Sequence, residues 1–96
     1  MAISRAERRA ERHDRVVAVF GEVGASAALD VLELTEYAWH DCYGEITPSE
    51  ALVDDMLLLS EGDLAKLVGA ARLAVTDWRD VKLWAQRVRS TRDQTP

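Results

Sequence analysis

Residues Ser26–Tyr43, SAALDVLELTEYAWHDCY, carry apolar side chains around more than half of a helical circumference. At about 100° per residue, Ala28, Leu29, Val31, Leu32, Leu34, Ala38, Trp39, Cys42 and Tyr43 form one broad face. Asp30, Glu33, Tyr37, His40 and Asp41 share the remainder. A stripe that wide has more than one neighbour. The segment therefore reads as the central helix of an all-α bundle, with Gly44 placed to stop it.

The flanking segments supply the neighbours. Upstream, Ser4 and Glu7 form an S-x-x-E capping box. Ala6, Ala10, His13, Val17 and Phe20 follow at helical spacing, and Gly21 and Gly24 weaken and end that helix. Downstream, Thr47-Pro48-Ser49-Glu50 is a second capping box, with Pro48 at the first helical position and Leu52, Val53, Met56, Leu57 and Leu59 on one face. Leu58 falls off that face, beside Asp54 and Asp55.

The last helix opens near Ser60 and then repeats every seven residues. Leu64, Ala71, Trp78 and Ala85 hold one position, and Leu67, Ala74, Val81 and Val88 the other. This spacing predicts one helix of roughly 25 residues, with a break at Thr76-Asp77 as the alternative. No segment alternates with period two, and no Asn-Gly or Asp-Gly turn occurs. The expected fold is a compact bundle of four helices, five if the last breaks near Thr76. Residues 1–90 make a single domain and 91–96 a frayed tail.

Charge is segregated along the chain. Between Val16 and Ala65 there is no Lys or Arg, whereas Glu22, Asp30, Glu33, Glu36, Asp41, Glu45, Glu50, Asp54, Asp55, Glu61 and Asp63 all lie there. The basic residues stand before it, from Arg5 to Arg15, or after it, from Lys66 to Arg92. Folding of the basic ends against the acidic middle accounts for this pattern. Association with a partner, or with a second copy as a homodimer, is the functional counterpart.

Chemistry-bearing residues are few. Glu33, Glu36 and His40 share a polar side of the central helix and are the weak metal candidates, with Glu36 and His40 spaced to pair. The spacing matches neither Glu-x-x-His nor His-Glu-x-x-His, so a solvated face is expected and neither metal nor cofactor is. Cys42 is expected to be a buried, inert thiol, and His13 a boundary residue. Trp39, Trp78 and Trp84, with Phe20 and Tyr43, read as an aromatic core, Trp84 lying beside the seam.

Arg5, Arg8, Arg9, Arg12 and Arg15 suggest a nucleic-acid arm. Glu7, Glu11 and Asp14 interleave with them, however, and the net charge is −5. Nucleic acid is therefore a disfavoured partner. No apolar run approaches a membrane span, and Met1–Arg9 lacks the apolar core of a secretory signal. With the lone Cys42, this leads to an expectation of a cytoplasmic protein, and the dominance of Arg over Lys suggests a GC-rich bacterial genome. The leading functional expectation is a small non-enzymatic interaction module. Its candidate contact residues are Leu58, Asp54, Asp55 and Trp84. The alternatives are a regulatory protein contacting nucleic acid through its basic ends, and a metal-binding protein using the Glu33/Glu36/His40 face.

Overall fold

The computed structural model describes residues 3–93, all of them in helices or short connections. There are three helices: α1 (Arg5–Tyr43), α2 (Glu50–Ser60) and α3 (Leu64–Asp93). Four or five were expected. The correction comes from how the chain turns at two points.

The first is Gly21, the one non-helical residue inside α1, at φ 76° and ψ 168°. That conformation is essentially confined to glycine. A straight helix of 39 residues would be ~58 Å long, yet the longest extent of the molecule is 43 Å. Arg9 and Asp30, 21 positions apart, meet at 2.8 Å. The chain thus reverses at Gly21 into an N-terminal arm (5–20) and a C-terminal arm (22–43). Gly24, expected to end the first helix, and Ser26, expected to open the second, both lie inside α1. The Ser4–Glu7 capping box forms in both directions, and Gly44 closes the helix in the left-handed region.

The second is Asp77 inside α3, at φ −157° and ψ 98°. Its carboxylate accepts the backbone N–H of Arg79 at 3.1 Å, so it restarts the helix as a cap would. The seven-residue pattern therefore spans one element with a kink, and not a straight rod. The helix runs on to Asp93, through part of the expected tail; 94–96 lie outside the described residues.

Two starts also shift. α2 is capped by Ser49, which accepts the Leu52 N–H, and not by Thr47, whose hydroxyl meets the Arg12 guanidinium at 3.0 Å. α3 begins at Leu64, with the Asp63 carboxylate accepting the Lys66 N–H. Between α2 and α3 the chain turns through Glu61 and Gly62, both at positive φ. A side chain at Gly62 would also meet the Val19 carbonyl oxygen at 2.7 Å, so the turn packs on the N-terminal arm of α1.

The core gathers Leu29, Leu32 and Trp39 from α1, Leu52, Val53 and Met56 from α2, and Leu67, Ala74 and Val81 from α3. The radius of gyration, 13.2 Å, is close to the ~13 Å of a compact 100-residue domain. No helix among the described residues is long and apolar enough to cross a membrane.

Candidate interaction surface

The N-terminal arm of α1 is fastened by arginines. Val16 is its one fully buried apolar side chain, yet Arg8 and Arg12 are buried too. Both converge on Glu36, which is 1% exposed. Arg8 donates to Glu36 through Nε at 2.6 Å and Nη2 at 2.9 Å. Arg12 donates Nη1 to Glu36 at 3.0 Å, and its Nη2 reaches Glu50 at 2.6 Å. Arg5 adds a bond to Glu36, and its guanidinium stacks 4.1 Å from the Tyr37 ring centroid. Arg9 pairs with Asp30 and Glu33, and Arg15 with Glu50 and Asp54.

Burial opposes ionisation of Glu36 and Glu50. The hydrogen bonds and positive charges of Arg8 and Arg12 around Glu36, and of Arg12 and Arg15 around Glu50, outweigh it. They hold both carboxyls below the ordinary glutamate range. The basic arm and the acidic middle of the sequence are therefore joined within one molecule, and the five arginines face carboxylates.

The same geometry redistributes the metal candidates. Glu33 meets Arg9, Glu36 is enclosed by arginines, and the His40 ring nitrogen lies 3.3 Å from the Glu45 carbonyl. The Glu36–His40 pair expected on a solvated face is replaced by the buried arginine cluster. Among the described residues no three His, Cys, Asp or Glu side chains come together as a metal site.

The expected contact residues also disperse. Asp54 is exposed and pairs with Arg15. Asp55 is buried and paired with Lys82 and, at 2.7 Å, with Arg89. Leu58 is half-buried. Trp84 is exposed, with Arg87 stacked 5.0 Å from its ring centroid. Trp78 is also exposed, so the aromatic core reduces to Trp39, with Phe20 and Tyr43 packed beside it in part. His13 is exposed beside Asp14. Cys42, expected to be buried, is exposed.

What the sequence reading missed is the destination of the broad stripe on Ser26–Tyr43. Its buried line runs through Ala25, Ala28, Leu29, Leu32, Thr35, Glu36 and Trp39. Leu34 lies about 180° from Ala25 on the helix, and it is 67% exposed. Val23, fully exposed, lies about 20° from Leu34. Val31 and Ala38, about 60° and 40° from Leu34 around the helix, stand on the same outer side and are only half-buried. The outer half of the stripe is apolar but does not belong to the core.

That outer face borders α3 across a groove of about 210 Å³. α1 lines it with Val31, Leu34, Thr35 and Ala38, and α3 with Val68, Ala71, Arg72 and Val75. Val68 is 42% exposed, and Leu64, one turn before it, 41%. The floor is fixed from inside: Thr35 bonds back to the Val31 carbonyl at 2.7 Å, and the Tyr43 hydroxyl donates to the Ala74 carbonyl at 3.0 Å. Both walls are helices held by the core, so the groove is preformed. No family model, curated protein or solved structure matches the chain.

Proposed function

We propose that the protein is a non-enzymatic interaction module that seats an amphipathic helix in the groove between the C-terminal arm of α1 and α3. The observation that carries this reading is Leu34. A leucine two-thirds exposed, on the side of its helix opposite the core and at the edge of an apolar groove, is apolar surface that water covers at a cost. From Val23 to Ala38 the outer stripe spans roughly 22 Å, the length of a helix of about fifteen residues. Helix-in-groove recognition places apolar anchors at i, i+3, i+4 and i+7, which is the spacing such a trough accepts.

The test uses a labelled neutral peptide of about fifteen residues, with Leu and Ala on one face and Gln on the other. Its fluorescence anisotropy is followed as protein is added. Wild type should bind it, and Leu34→Asp and Val68→Asp should each lose binding while keeping the wild-type helical circular dichroism. Equal binding by wild type and both folded variants would remove the groove from the function.

A further inference from the structure

Resting on the reading of the groove as a helix-binding site, we infer that its occupant is a helix of another protein carrying a carboxylate beside its apolar stripe, which pairs with Arg72. Arg72 is the one charged side chain lining the groove. It is exposed, and its guanidinium has no carboxylate or hydrogen-bond partner among the described residues. The other basic residue of this half of α3, Lys66, reaches Glu61 at 3.4 Å, and Arg79 beyond the kink reaches Asp77 at 3.1 Å. The arginines of α1 are paired throughout. An unpaired guanidinium on the rim of an apolar trough favours a partner that brings an anionic group to it.

The same residue discriminates against a second copy. In a two-fold pair the same patch faces itself. None of the eight groove-lining side chains is a carboxylate, so a symmetric copy seated groove to groove offers Arg72 no counter-ion from that lining. A helix with Leu at its anchors and Glu or Asp on the flank satisfies both the groove and its rim.

The experiment compares three peptides that share the Leu/Ala face and differ at two flanking positions, which hold Glu, Gln or Lys. Anisotropy titrations are run at low salt on wild type, Arg72→Gln and Arg72→Glu, with the solution mass of wild type measured by light scattering. Attraction exchanged for repulsion at this exposed rim pair should separate the Glu and Lys peptides by roughly tenfold. Arg72→Gln should collapse that difference, and Arg72→Glu should reverse it. Equal binding of the three peptides, or a preference for Lys, would overturn the carboxylate inference while leaving the groove as the binding site. A wild-type dimer that Leu34→Asp converts to monomer would overturn it in favour of a second copy. Failure of all three peptides to bind would overturn the groove reading itself.

Discussion

Arg8 and Glu36 meet in a two-point ion pair, Nε to Oε2 at 2.6 Å and Nη2 to Oε1 at 2.9 Å, across 28 residues of sequence and the reversal at Gly21. The planar guanidinium matches both carboxylate oxygens, the geometry that makes such pairs directional. With Arg12 on the same carboxylate, this cluster fixes how the N-terminal arm lies on the rest of α1.

Glu36→Gln should be among the most destabilising single changes in the chain. It leaves Arg8 and Arg12 buried against a neutral amide, and removing one partner of a buried pair costs about 3–5 kcal/mol. Urea unfolding followed by circular dichroism measures this. A loss under about 1 kcal/mol, the range of a surface pair, would mean that the cluster is solvated.

Stability should fall in acid. Glu36 and Glu50 are held below their ordinary range in the folded chain, whereas an unfolded glutamate titrates near ~4.3. Their contribution is therefore complete above about pH 4.3. It is lost as pH falls from there through the folded values, because the unfolded chain then binds more protons. The urea midpoint should drop between pH 6 and pH 3, and Glu36→Gln should flatten that slope.

Glycine substitutions should act in opposite directions at two positions. At Gly21 an added Cβ meets nothing within 4 Å, but φ is 76°, so Gly21→Ala pays about 1–3 kcal/mol in backbone strain alone. Gly69 lies inside α3 and also has nothing within 4 Å of an added Cβ, so Gly69→Ala should stabilise by about 0.5–1 kcal/mol. Thermal melts of the two variants separate these effects. A neutral Gly21→Ala would place the reversal elsewhere.

The capping signals at Ser4 and Gly44 are legible in the sequence, because a cap is a local hydrogen bond between residues three or four apart; Asp77 is legible only as the alternative to a continuous last helix. The reversal was legible only as a glycine-rich stop. Nothing local tells that Gly21 turns the chain in a single residue and that Gly24 and Ser26 resume the helix at once. Thr47 fits a cap by its spacing to Glu50, but Arg12, 35 positions away, recruits its hydroxyl. The buried cluster was hidden for the same reason. A helical wheel places Arg8, Arg12 and Glu36 outside, and only their mutual pairing allows them inside. The breadth of the Ser26–Tyr43 stripe reads as contact with more than one neighbour, yet only its inner half packs in the core. Which half is the core depends on where α2 and α3 pack, and the wheel puts Leu34 on the apolar face without telling that this part of it stays outside.

Leu34 and Leu58 should respond differently to the same change. Leu34 is exposed and Leu58 half-buried, so Leu34→Asp should stay within about 0.5 kcal/mol of wild type. Leu58→Asp should cost about 1 kcal/mol or more, because it draws a charge into partly apolar surroundings. Chemical denaturation of both variants decides the order.

The most direct measurement is a map of backbone amide shifts in the ¹⁵N-labelled protein as the neutral Leu/Ala peptide is added. The helix-in-groove reading predicts that the largest changes cluster at Val31, Leu34, Ala38, Val68, Ala71 and Val75, with Trp84 and the Arg5–Arg15 arm unmoved. Changes centred instead on Trp78, Leu83 and Trp84, or no changes at all, would contradict it.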